Sequence, residues 1–116
     1  MARKNIVPSF KMLDAASLGG NLTSAVVNVQ NMDLASIHLK WTGTAPVGVI
    51  TVEARNGSAD PYYTLDFGSA INISGASGDH QIVLSSMPFT DIRLQYFFTS
   101  GSGSLTATIT AKQIGG

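Results

Sequence analysis

Apolar and polar residues alternate through most of this chain. The clearest case lies towards the C-terminal end. Ile92, Leu94, Tyr96 and Phe98 occupy every second position, and so do Leu105, Ala107, Ile109 and Ala111. Successive side chains of a strand point to opposite faces, so this spacing predicts two strands with one apolar face each. The second strand turns Thr106, Thr108 and Thr110 the other way, β-branched but polar. Residues 100–104, Ser-Gly-Ser-Gly-Ser, tolerate positive φ and predict a hairpin with a longer loop between the two.

The same period recurs upstream. Residues 34–42 predict a strand with Ile37, Leu39 and Trp41 on one face and Ser36, His38, Lys40 and Thr42 on the other. Trp41, the single tryptophan, is expected in the core. Gly43-Thr44-Ala45-Pro46 reads as a turn, since proline cannot donate to a ladder. Residues 47–55 resume the alternation, with Gly48, Ile50, Val52 and Ala54 set against Val49, Thr51, Glu53 and Arg55.

Before these, residues 9–18 admit two readings. Leu13, Ala15, Ala16 and Leu18 allow a helical turn, but a short strand running into Gly19-Gly20 is favoured. Residues 21–30 predict a strand with Val27 and Val29 opposite Val26, Asn28 and Gln30, followed by a turn at 31–33. After residue 55, turn-forming residues 56–61 precede a short strand at 62–67, with Tyr63, Leu65 and Phe67 on one side. Ile71 and Ile73 alternate with Ala70, Asn72 and Ser74, residues 75–79 form a flexible loop, and 80–85 make a strand with Ile82 and Leu84 on one face. Pro88 and Phe89 lead into the final pair. About seven to nine short strands at turn-marked intervals, with no helix required, predict an all-β, two-sheet antiparallel β-sandwich. Its connectivity is jelly-roll or immunoglobulin-like. Residues 1–8 read as a flexible N-terminal arm and 9–116 as a single sandwich domain.

Composition narrows the function. At 116 residues the chain suffices for one core, and 44% hydrophobic content supplies it. Charged residues make up 12%, against about 25% in ordinary domains, and net charge is zero. Nucleic-acid binding needs a basic patch and is not expected. Weak self-repulsion favours association with other subunits or with copies of the chain, so a homo-oligomer is expected. With no cysteine there is no disulfide, thiolate zinc site or thiol nucleophile. No apolar stretch approaches the ~20 residues of a membrane span, and Met1 to Pro8 lack the apolar run of a secretion signal. The chain is expected to be made in the cytoplasm, with no membrane partner.

Candidate chemistry is sparse. His38 and His80 are far apart and bring no further ligands at metal-site spacing. The carboxylates, Asp14, Asp33, Glu53, Asp60, Asp66, Asp79 and Asp91, mostly flank turns, and none forms an evident facing pair. Ser77-Gly78-Asp79 lacks the acidic density of a calcium loop. Ser100-Gly101-Ser102-Gly103 precedes no helix, so it is neither a nucleophile elbow nor a phosphate loop. Three formal glycosylation sequons begin at Asn21, Asn56 and Asn72 and are read as chance without a secretion signal. No catalytic residue, cofactor or metal is expected, and the protein is not expected to be an enzyme. Candidate interface residues are Tyr62, Tyr63 and Phe97, as exposed aromatics, with Arg3 and Lys4 on the arm.

Several phrases carry a resemblance: Trp41-Thr42-Gly43-Thr44-Ala45-Pro46-Val47-Gly48, Leu65-Asp66-Phe67-Gly68, Ile73-Ser74-Gly75, and Pro88-Phe89-Thr90-Asp91-Ile92-Arg93-Leu94-Gln95-Tyr96. With Ser100-Gly101-Ser102-Gly103-Ser104-Leu105, Lys112 and Gly115-Gly116, the stretch over residues 34–116 resembles small β-sandwich virion proteins of tailed bacteriophages. The resemblance implies a structural protein present in many copies on a particle, partnered by the major capsid protein or other virion subunits. A capsid decoration or cement subunit is the leading expectation. A tail, neck or baseplate module is the alternative within that class, and a carbohydrate-binding β-sandwich module is the alternative outside it.

Overall fold

The computed structural model describes residues 6–30, 32–57, 59–65, 71–85 and 89–112. Every regular element among them is a strand: β1 (Ile6–Ser17), β2 (Leu22–Thr23), β3 (Val27–Asn28), β4 (Leu34–Arg55), β5 (Tyr63–Thr64), β6 (Ile71–Ile73), β7 (Ser77–Leu84) and β8 (Asp91–Lys112). All eight belong to one antiparallel sheet.

Two strands of 22 residues each, β4 and β8, run antiparallel along almost their whole length and form the spine. One half joins residues 34–42 of β4 to 104–112 of β8, with β1 on the β8 side and β7 on the β4 side. In the other half, residues 48–55 of β4 pair with 91–98 of β8. There β2 and β3 flank β8, while β5 and β6 flank β4. Buried residues from both halves, Ile37, Leu39, Trp41, Ile50, Val52, Leu94, Tyr96 and Ile109 among them, join one core cluster. The sheet therefore folds at its middle, and its two halves close on each other as a sandwich-like fold around one apolar core.

The fold line explains a parity change in the pattern. Buried apolar positions of β4 are odd up to Trp41 and even from Pro46 onward; in β8 they are even up to Tyr96 and odd from Leu105. A continuous strand would turn the wrong face inward after such a change. Each strand corrects it with one extra residue. Between the pairs Thr44–Ser102 and Val47–Ser100, three steps along β4 match two along β8. Between Val47–Ser100 and Gly48–Phe98, one step along β4 matches two along β8. These two bulges bend the sheet, keep the same face in the core and restore the original register beyond them.

The Gly/Ser segment therefore is no hairpin loop. Residues 100–104 lie inside β8 and pair with the Gly43–Val47 region, itself inside β4 and not a turn. Glycine is needed there for proximity: a β-carbon on Gly43 would lie 2.2 Å from the Ser102 carbonyl oxygen, and one on Gly103 2.2 Å from that of Thr42. What sequence divided into four short strands is thus two long ones. The loop expected at 75–79 is also shorter, because Ser77, Gly78 and Asp79 open β7 opposite Thr42, Trp41 and Lys40. Residues 21–30 make two brief pairings rather than one strand. β1 begins at Ile6, three residues inside the stretch read as an arm, while residues 1–5, Phe67 and Pro88 lie outside the described residues.

Trp41 occupies the core as expected. Its Nε1–H donates to the Ser74 carbonyl at 3.0 Å, and Gly78 leaves room for the indole, since a β-carbon there would sit 2.4 Å from Trp41 Cζ2. Gly48 does the same for Tyr96 at 2.4 Å, and the Tyr96 hydroxyl donates to the Val47 carbonyl at 3.2 Å.

Candidate docking surface

The outer face of the half that pairs residues 48–55 of β4 with 91–98 of β8 carries a dense polar array. Arg55 lies directly opposite Asp91, and Glu53 directly opposite Arg93. Arg55 Nε donates to Asp91 Oδ2 at 3.0 Å, and Arg93 Nε to Glu53 Oε1 at 2.8 Å. Thr90 Oγ1 and Asn28 Nδ2 complete the shell of Asp91, at 3.3 and 3.4 Å. Tyr62 closes the array: its ring centre lies 3.8 Å from the Arg93 guanidinium carbon and 4.7 Å from that of Arg55. Two cations and two anions neutralise each other under a ring, so the array has no net charge to offer a charged ligand.

This placement divides the sequence-derived candidates. Tyr62 spends its ring on the two arginines, and its buried hydroxyl has no hydrogen-bond partner among the described residues. It is a structural cover rather than a free contact residue. Tyr63, next along the chain, is 42% exposed at the edge opposite Ala54. Phe97 is 47% exposed, opposite Val49. Four residues separate Phe97 from Arg93, about 13 Å of strand, so Phe97 and Tyr62 are not gathered into one site. Arg3 and Lys4 lie outside the described residues.

A neighbour of Phe97 escaped the alternation rule. Phe98 was expected on the inward row with Ile92, Leu94 and Tyr96, yet it is 39% exposed. It stands at the β8 bulge, where the inward period breaks off. Phe97 and Phe98 pair with Val49 and Gly48, and exposed Val47 is the next residue along. Apolar surface therefore collects at the waist of the molecule, where the two long strands bend. The available signal was two consecutive phenylalanines, one residue before a Ser/Gly run.

Among the described residues no three histidine, cysteine or carboxylate side chains cluster in metal-binding range. His38 Nε2 and Asp79 Oδ2 approach to 3.6 Å on an open face, both side chains exposed.

No family model and no curated protein matches this chain. Its fold is similar to part of a chain in the solved structure of infectious bursal disease virus, Gx strain. The TM-score is 0.61 at 14% sequence identity, over 99% of this chain and 33% of that one. This chain thus spans about a third of the length of the viral chain it matches, and the likeness is one of fold.

Proposed function

We propose that this protein is a non-enzymatic structural component of a virion, and within that class a capsid decoration or cement subunit of a tailed phage. The observation that carries the reading is the fold, which is shared over nearly the whole chain with one third of a protein in a virus structure. Two features of the chain support it. Its charged array is closed on itself, and its exposed apolar side chains, Phe97, Phe98 and Val47, gather at the waist, which suits burial against another subunit. A rigid, charge-poor body of this kind stabilises a shell by bridging neighbours. Small gains per site then multiply over many copies.

Purified particles of the virus tested directly give the answer. The chain should be present in fixed proportion to the shell protein, electron microscopy should place it on the outer shell, and particles lacking it should rupture at lower temperature. Localisation to the tail or baseplate would replace the decoration role with a tail-associated one. Absence from particles, with selective glycan binding lost on Phe97→Ala, would overturn the virion reading in favour of a carbohydrate-binding module.

A further inference from the structure

The two edges of the β1/β8/β4/β7 half differ. β1 pairs with β8 through three register shifts and carries Ala15 at φ 50°, irregularities that twist and blunt an edge. β7 pairs with β4 through unbroken register from Ala35–Leu84 to Thr42–Ser77. Among the described residues no strand pairs with its other side, and it contains no proline or lysine. Alternate backbone N–H and C=O groups along that side therefore have no ladder partner among the described residues, a template for another strand.

We propose that two copies of this chain join through β7, antiparallel about a two-fold axis normal to the sheet. Such an axis keeps each sheet face on its own side, so each residue opposes a partner residue of the same face. That condition leaves two registers with near-complete overlap, centred on His80 or on Gln81. The Gln81-centred register sets each Asp79 carboxylate against the partner's Val83. The His80-centred register sets each Asp79 against the side-chain amide of the partner's Gln81, once on either side of the axis, giving two charge-assisted hydrogen bonds. It also covers Val83, 65% exposed, with the partner's Ser77, and sets Ile82 against the partner's Gly78. Hydrogen-bond complementarity between Asp79 and Gln81 selects this register, and zero net charge leaves little long-range repulsion against it. The inference does not rest on the virion role, because it concerns the isolated protein.

Sedimentation equilibrium of the purified protein tests it with two variants of opposite sign. Gln81 is exposed, so both changes are compatible with the fold, although each replaces the amide that donates to Ser36 Oγ within its own chain. Gln81→Glu places a carboxylate opposite the partner's Asp79 twice and should weaken the dimer roughly tenfold. Gln81→Lys places a cation there and should hold or tighten it. His80→Cys, in a chain with no other cysteine, should oxidise to a covalent dimer, whereas Thr108→Cys should not. A wild-type protein that stays monomeric at every concentration, forms open-ended polymers, or dimerises with equal affinity in both Gln81 variants overturns the proposal.

Discussion

A β-carbon on Gly101 would stand 2.1 Å from the carbonyl oxygen of Ala45. The two residues face each other across the fold line, and both have left-handed backbones, with φ 83° at Gly101 and 46° at Ala45. Neither strand can withdraw, because ladder pairs resume on either side of the bulges. Gly101→Ala should therefore cost about 2–4 kcal/mol in urea-induced unfolding, from strain and displaced backbone together. Gly20→Ala, where an added β-carbon meets nothing within 4 Å, should change stability by less than about 0.5 kcal/mol. Equal effects of the two would mean that the fold line is not held by this contact.

Replacement of Asp91 by alanine strands the Arg55 guanidinium beneath Tyr62. The side chains of this pair are only 22% and 12% exposed, so the loss should reach about 1–3 kcal/mol, well above that of a surface pair. Lys11→Ala, which breaks the exposed Lys11–Asp14 pair, should cost no more than about 0.5 kcal/mol when both variants are compared with the wild type by thermal melts.

Tyr62 separates ring from hydroxyl. Its ring lies over Arg93 and Arg55, while its buried oxygen lacks a hydrogen-bond partner among the described residues. Tyr62→Phe should be neutral or slightly stabilising, because it removes a desolvated polar atom. Tyr62→Ala should cost about 1–2 kcal/mol through loss of the cation–π contacts. If Tyr62→Phe proved as harmful as Tyr62→Ala, the hydroxyl would have to be bonded.

Alkaline pH acts through Tyr96. Burial pushes its phenol above the ordinary value of 10.0. The folded chain therefore holds that proton more tightly than the unfolded chain does. The stabilisation is complete below pH 10 and is lost as pH rises from there through the folded value. Unfolding free energy should decline above pH 10 by up to about 1.4 kcal/mol per pH unit for this one group. Tyr96→Phe, though it forfeits the bond to the Val47 carbonyl, should flatten that decline in denaturation curves taken at successive pH values.

Side-chain alternation is a local property, and it was sufficient for the strand faces. Ile37, Leu39 and Trp41 point inward as their spacing requires, as do Ile50, Val52 and Ala54, Leu94 and Tyr96, Leu105, Ala107 and Ile109. It was also sufficient for the all-β class, since no described residue is helical. Of the candidate contact residues, Tyr63 and Phe97 are exposed as their positions suggested.

Continuity of the long strands could not be read the same way. A Gly/Ser run that ends a strand and one that lets two strands cross at a bulge look identical in sequence, because both need small residues with left-handed φ. The difference is the partner: Gly101 and Gly103 are where they are because Ala45 and Thr42 press against them from more than fifty residues away. The same holds for Tyr62, whose ring is exposed by spacing and covered only because Arg55 and Arg93 arrive from two different strands. Phe98 follows the reverse course, inward by period and outward because a bulge interrupts that period. Local chemistry thus determined which faces are apolar, and the pairing of distant segments decided where the sheet folds and which rings remain uncovered.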